Sequence, residues 1–253
     1  MPNLTELQST SAQLPENLSS QIEQAGFCFA PGELIQAWYE ALSPDALADW
    51  SEFAASWNDM PLDQHMADGG RYRRRRYATL SAASGRSEIR LEPHQPHYQS
   101  LDYNPLNGGV FREFAPVQQE IVLGQTVNSF LTLGLQVFGR LIPDAAWHIE
   151  LHQFRIEASP NQHGKPTPEG IHRDGTDFVL IMMVKRENVA SGMTTMHDLE
   201  LRQLASFTLT KPFDTAMVND RRYMHGVTPV EQIDPHRPAY RDVLVATFRN
   251  TKR

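Results

Sequence analysis

Three side chains in the second half of this 253-residue chain have the types and order of a metal-ligand set: His172 and Asp174 in the tripeptide His172-Arg173-Asp174, and His225. Alternate residues of a strand share a face, so an extended tripeptide lets an imidazole nitrogen of His172 and the Asp174 carboxylate approach one ion together. His225 must then arrive from another strand. Two imidazoles and one carboxylate on one side of a metal leave three positions open, as non-haem iron(II) needs to take a co-substrate and dioxygen together. With ten histidines present, a His-x-Asp tripeptide arises readily by chance and decides little by itself. Its place says more, because it leads into the most apolar stretch of the chain, Phe178 to Val184, and several short strand-like segments separate it from His225. A buried structural histidine pair or an incidental surface motif is the alternative.

A charged co-substrate needs a counter-ion. In YRDVLVATFR, alternation puts Arg241, Val243, Val245, Thr247 and Arg249 on one face. An inward arginine is unfavourable unless an anion meets it, and Arg241 is suited to a two-pronged hydrogen bond with a keto acid's distal carboxylate. Arg249 on the same face is the second candidate, and a solvated strand end is the alternative for both. In HIELHQFRIEA, Ile149, Leu151, Gln153 and Arg155 share a face that turns from apolar to polar, as a strand running from closed core to open mouth would. Arg155 is thereby a candidate for a substrate carboxylate, with Gln153 behind it. An ion pair of Arg155 with Glu157, Glu169 or another strand's acid stands equally well.

The elements that must position these groups fall into two halves. Residues 1–14 are polar and expected to fray; three short helices are expected from Pro15 to about Trp57, punctuated by Pro31 and Ser43-Pro44. A strand follows over Arg71 to Leu80, then a hairpin in which His97–Asn104 and Val110–Phe114 flank Asn107-Gly108-Gly109. One long helix is expected between Pro116 and Leu141, apolar around most of its circumference and packed on a sheet. Seven or eight short strands from residue 148 onward, without intervening helices, predict a mainly β fold with helices (α+β). Its core is a double-stranded β-helix of jelly-roll or cupin-like form, residues 148–253, wrapped by a helical and β cover, residues 15–147, in a single domain.

Composition narrows the function classes. Formal charge is −7, from 23 basic and 30 acidic side chains, which argues against gripping nucleic acid. The run Arg71-Tyr72-Arg73-Arg74-Arg75-Arg76 is a local exception, read as mainly structural: a strand whose exposed arginines pair with an acidic surface. No stretch resembles a membrane span or a secretory signal, and the single cysteine, Cys28 in an apolar segment, reads as a small buried thiol, so a cytoplasmic protein without membrane contact is expected.

Taken with their flanks, these residues resemble the iron(II)- and 2-oxoglutarate-dependent dioxygenases, in particular the bacterial branch that hydroxylates free aliphatic amino acids. The resemblance is carried by YRRRRYATL, YQSLDYNPLNGGVFREF, HQFRI, PEGIHRDGTDFVLIMMVKRENV, YMHG and YRDVLVATF. It implies Fe(II) held by His172, Asp174 and His225, with 2-oxoglutarate on the metal and Arg241 on its far carboxylate. It also implies dioxygen as oxidant, a small free amino acid as substrate, and hydroxylation rather than halogenation, since Asp174 supplies the carboxylate ligand. The YQSLDYNPLNGG hairpin is either a lid over the pocket or simply packs its own turn. The same chemistry on a peptide or other metabolite, and a non-enzymatic jelly-roll metal binder acting in stress or iron sensing, are the competing readings. The oligomeric state is not legible.

Overall fold

The computed structural model of the protein describes residues 12–252. Most of the expected polar tail therefore lies outside the described residues. The first helix, α1 (Leu14–Ala25), has Pro15 in its first turn and turns its apolar side, with Leu18 and Ile22, inward. Strand β1 (Phe27–Ala30) follows, then α2 (Gly32–Leu42), α3 (Trp50–Ala55) and a 3-10 turn over Ser56–Asp59. The sequence predicts helices here but not β1, whose four residues are too few to display a period. It is held by pairing at the sheet edge, with Cys28 opposite Met217 and buried deeply enough to push its thiol up to about 12.

Strands β2 (Arg73–Ala82) and β3 (Ile89–Leu91) come next, then the very short β4 (His97–Tyr98) and β5 (Phe111–Arg112). The hairpin expected around Asn107-Gly108-Gly109 is reduced to two paired residues on each side. Its connection coils on itself instead: Gly108 N–H donates to Asn104 O, Gly109 N–H to Gln99 O, and Asn107 N–H to Asn104 Oδ1. The expected single long helix is two, α4 (Gln119–Val122) and α5 (Gln125–Leu141). Asp49 divides them by entering from the α2–α3 connection, where its Oδ1 accepts from Thr126 N–H and Oγ1. A Cβ on Gly124 would meet Asp49 Oδ2 at 2.0 Å, so the break requires glycine.

The second half is all strand: β6 (Trp147–Ala158), β7 (Phe178–Glu187), β8 (Val189–Ser191), β9 (Thr194–His197), β10 (Gln203–Phe207), β11 (Thr215–Asn219), β12 (Met224–Val227), β13 (Val230–Gln232) and β14 (Ala239–Asn250). A seven-stranded antiparallel sheet runs β1-β11-β7-β14-β6-β2-β3, and a three-stranded sheet runs β10-β9-β12. Together they form a double-stranded β-helix.

The large sheet has two unlike faces. One carries Ile149, Leu151, Leu180, Met182, Leu244, Ala246 and Phe248 into an apolar cluster with the helices, running from Leu14 to Phe248. The other carries Val179, Ile181, Met183 and Val243 toward Met196 of the small sheet, closing one end of the barrel with apolar contacts and leaving the other end polar. Among the described residues no helix is long and apolar enough to cross a membrane.

Helix α5 lies so close to the sheet that a Cβ at Gly134 would sit 2.6 Å from Phe248 Cζ, whereas one at Gly139 would meet nothing within 4 Å. Alanine normally stabilises a helix interior relative to glycine by roughly 0.5–1 kcal/mol, but overpacking a core is unfavourable by about 1–3 kcal/mol. Gly139→Ala is therefore expected to raise the melting temperature by about 2 °C and Gly134→Ala to lower it. Differential scanning calorimetry of the two variants checks the opposite signs.

Candidate metal centre and its pocket

His172 and His225 are tied by their backbones, each N–H donating to the other's carbonyl at 2.9 Å, which adds His172 to the edge of the small sheet beside β12. The pairing sets the two imidazoles side by side, tilted by 49° with centroids 4.6 Å apart. Asp174 completes the group: Oδ1 lies 3.6 Å from His172 Nε2 and Oδ2 lies 3.6 Å from His225 Nε2. All three donor atoms lie within 4.8 Å of one another. His172 Nδ1 is 3.0 Å from Gly170 O, so it carries a proton there and leaves Nε2 as the nitrogen that faces the group. Two imidazole nitrogens and a carboxylate so placed fit a divalent ion of the first transition row.

The tripeptide is not a strand, and this corrects the sequence reading. Beyond His172 the chain turns through Gly175, at φ +84°, before β7 begins at Phe178. What holds Asp174 is Asp220, whose carboxylate accepts the backbone N–H groups of Asp174, Gly175 and Thr176 at 2.9, 2.8 and 3.0 Å. Burial and the neighbouring Asp174 charge push the Asp220 carboxyl up to about 7, against those three donors. Gln99 Nε2 donates to Asp174 O at 3.2 Å, and Tyr103 packs where a Cβ on Gly175 would be. The YQSLDYNPLNGG segment thus braces the loop that carries Asp174.

Within the group, burial works against the imidazolium of His172, yet Asp174 and Glu169 raise it to about 9. Burial and the charge on His172 lower His225 to about 4. Burial opposes the Asp174 carboxylate, but His172 and His225 hold it well below the usual range. One imidazolium, one neutral imidazole and one carboxylate is a set that a metal ion enters by displacing a proton.

The pocket beside this group is lined by the inward face of the large sheet, and Arg241 lies in it, 3% exposed. Its Nε has no hydrogen-bond partner and no carboxylate pairs with it among the described residues. Burial, with Arg186 nearby, lowers its pKa to about 10. A desolvated fork with free donors fits the far carboxylate of a small dicarboxylate. Arg249 is exposed on the same face at the other end of β14, roughly 26 Å along the strand, and cannot share that task.

Arg155 and Gln153 lie on the opposite, helix-covered face, outside the pocket. Arg155 forks onto Asp242 with Nε–Oδ1 at 2.8 Å and Nη2–Oδ2 at 2.7 Å, and lies over the Tyr240 ring, while Gln153 donates to Ser56 Oγ. The apolar residues preceding them sit under helices, so the face that turns polar at Arg155 stays beneath the cover. The alternate residues His148, Glu150, His152 and Phe154 line the pocket. A run of His, Glu and His at every second position of a buried strand was the signal available for this.

The arginine run divides in the same way. Arg73 pairs with Asp63, Arg74 with Glu157, and Arg76 donates to Pro116 O, all structural roles. Arg73 and Arg75 both line the pocket, but Arg73 is neutralised there by Asp63, whereas no carboxylate pairs with Arg75 among the described residues.

His97, Glu150 and His152 form a second group of potential ligands within 4.8 Å. It is poorly suited to a cation. Arg75 Nη2 and Arg112 Nη2 lie 3.0 Å from the Nδ1 atoms of His152 and His97, so each Nδ1 is an acceptor and the ring proton stays on Nε2, the atom a metal would need.

The family model described as 2OG-Fe dioxygenase matches residues 54–247. The curated protein 3(1)-hydroxy-L-isoleucine 4-dioxygenase of Pantoea ananatis is 24% identical over 243 residues, covering 92% of this chain and 96% of its own length. L-isoleucine-4-hydroxylase of Bacillus thuringiensis is 25% identical over 183 residues, covering 71% and 75%. A solved bsmA homolog from Methylobium petroleophilum PM1 is 32% identical, with a TM-score of 0.83 over 94% of this chain and 93% of that one.

Partners that orient a metal ligand commonly alter metal affinity by about 10–100-fold when removed. Asp220→Ala, which frees three N–H groups in the Asp174 loop, is expected to weaken iron(II) binding by about that much while the far-ultraviolet circular dichroism spectrum stays unchanged. Anaerobic iron(II) titration checks it.

Proposed function

This chain belongs to the 2OG-Fe dioxygenase family, an enzyme family that uses Fe(II) and 2-oxoglutarate, and from that premise we propose that it hydroxylates an aliphatic C–H bond of a small free L-amino acid. The observation that carries the proposal is the meeting, in one pocket, of the His172–Asp174–His225 group with the unpaired, buried Arg241. His172, Asp174 and His225 would hold Fe(II), and the Arg241 fork would hold the distal carboxylate of 2-oxoglutarate. Fe(II) with 2-oxoglutarate and dioxygen supplies an oxidant strong enough to hydroxylate an unactivated carbon, with succinate and carbon dioxide as co-products. A metal-binding stress protein without turnover has no use for a desolvated arginine aimed at a second anion.

The chain's own part is positioning and exclusion of water. Gly170 O fixes the His172 ring, Asp220 fixes the Asp174 backbone, and the valines and isoleucine at 179, 181, 243 and 245 wall the side of the pocket toward the barrel core. The free amino acid is supported by the relatives from Pantoea ananatis and Bacillus thuringiensis, whose names specify isoleucine or its hydroxylated form. The lone buried thiol of Cys28 suits a reducing compartment, and we place the enzyme there.

Anaerobic loading with iron(II), followed by oxygen and a panel of free amino acids, is expected to show succinate release above the uncoupled background with aliphatic members such as isoleucine, leucine and methionine. Mass spectrometry is expected to find a product heavier by one oxygen. If a peptide or another metabolite responds and no amino acid does, the substrate reading fails and the dioxygenase class stands.

His172→Ala, Asp174→Ala and His225→Ala are each expected to abolish iron binding while leaving the metal-free fold intact, since the apolar clusters lie elsewhere. Arg241→Lys keeps charge and loses the fork, so KM for 2-oxoglutarate is expected to rise by about tenfold or more with iron affinity unchanged. Steady-state kinetics beside iron titration separates the two.

A further inference from the structure

The pocket holds two more guanidinium groups that neither the metal nor the co-substrate engages. Arg75 of β2 and Arg112 of β5 are 5% and 2% exposed, both line the pocket, and neither pairs with a carboxylate. Arg75 Nη2 meets only His152 Nδ1; Arg112 Nη2 meets His97 Nδ1 and, at 3.4 Å, Gln99 Oε1. The Nε atoms of both are buried without a partner. Phe114 lies near both, its centroid 3.9 Å from the Arg75 Cζ and 5.7 Å from the Arg112 Cζ, so the two guanidinium groups share one aromatic ring. Two desolvated cations arranged in this way are unfavourable until an anion reaches them.

A charge of the opposite sign, with one of its two oxygens unpartnered, lies in the same pocket. Glu169 Oε1 is 3.4 Å from His172 Nε2, and Glu169 Oε2 is buried with no hydrogen-bond partner. Glu169 approaches one member of the metal group only, which leaves its second oxygen free for another cation. Arg241 belongs to a different part of the wall, since β6 lies between β14 and β2 and sets those strands about 10 Å apart. The pocket thus offers separate places for two anions and, beside the metal position, a place for one cation.

We infer that Arg75 and Arg112 receive the carboxylate of the primary substrate and Glu169 its ammonium, so that the site selects a free zwitterionic α-amino acid over derivatives blocked at either group. The assignment rests on the amino-acid hydroxylase reading above. It gives the arginine run a function through one member, Arg75, and replaces Arg155 as the carboxylate contact. It also places the substrate's charged end between β2, β5 and the loop before His172, so the aliphatic side chain is the part left to lie over the metal.

The test uses full-length enzyme loaded anaerobically with iron(II) and 2-oxoglutarate. Isothermal titration follows L-isoleucine, L-leucine and L-methionine beside their carboxamides and N-acetyl derivatives. Wild type is expected to bind the free amino acid at least about tenfold more tightly than either blocked form. Arg112→Gln and Arg75→Gln are expected to lose that factor for the free amino acid yet change carboxamide binding less than about twofold. Glu169→Gln is expected to lose it for the free amino acid and spare the N-acetyl derivative. Equal binding of free and blocked forms by wild type overturns the assignment even if a variant fails to fold. So do penalties that persist on the blocked forms, or a loss that falls on 2-oxoglutarate affinity instead. A wild type that releases no extra succinate with any amino acid overturns the underlying reading. A responsive wild type with indifferent variants overturns this assignment alone.

Discussion

Arg75, Arg112 and Arg241 are buried in one pocket without a carboxylate partner, and desolvating an ion is unfavourable by several kcal/mol even after the surroundings relax. The chain pairs buried arginines readily elsewhere. Arg73 has Asp63, and Arg155 has both oxygens of Asp242 on the reverse face of the same sheet. Arg73 lines the pocket and is neutralised there by Asp63, so what sets Arg75, Arg112 and Arg241 apart is the lack of a carboxylate from within the chain, and on the proposed reading they are left for anions that arrive from solution. The barrel therefore stores unfavourable charge at the proposed ligand positions and recovers stability in the apolar clusters on either side.

The storage is possible because the large sheet is two-faced along its whole width. Strands β6, β14 and β7 alternate strictly, so Leu151, Leu244, Ala246 and Leu180 pack under α1 and α5 while His152, Val243, Val245 and Val179 face the barrel. Helices sealing one face keep water from the backs of the strands, and the small sheet covers only the apolar half of the other. The metal group sits where that cover ends. His172 and β12 are the last backbone pairing of the small sheet, and the loop beyond them is held by Asp220 rather than by a ladder.

How far the sequence reveals this depends on whether a residue's neighbours are local. The β-helix core was legible because short strand-like segments follow one another from residue 148 without an intervening helix, and His172, Asp174 and His225 were legible as types the pocket does bring together. The parity of β6 was not. Ile149 and Leu151 look alike whether they face a barrel or a helix, so Arg155 was assigned to the site, and only the register with Asp242 shows it on the other side. Strand β1 and the split between α4 and α5 were hidden for the same reason, since one is made by pairing with β11 and the other by Asp49, remote in the chain. Glu169 and Arg112 carry no local signal of use. They became visible only through what they lack, a carboxylate for Arg112 and a hydrogen bond for Glu169 Oε2.

Histidine, rather than aspartate or glutamate, holds Arg75 and Arg112, and this choice has electrostatic content. A carboxylate would orient each guanidinium and also cancel its charge; the lone pair of a neutral imidazole orients it and leaves the charge in place. Burial, followed by the charge of Arg75, drives His97 down to about 3, and burial followed by Arg75 lowers His152 well below the ordinary histidine range, so both rings remain acceptors. The proton this leaves on His97 Nε2 faces Glu150 Oε2 at 3.6 Å, and the Tyr77 hydroxyl donates to Glu150 Oε1 at 3.0 Å. Glu150, Tyr77, His97 and Arg112 thereby form a row of polar groups, hydrogen-bonded at Tyr77–Glu150 and His97–Arg112 and in looser electrostatic contact between Glu150 and His97, from the floor of β2 and β6 to the guanidinium at the pocket surface. The negative charge stays at the far end of that row, one imidazole away from Arg112, where it moderates the cation without occupying the place of an incoming anion.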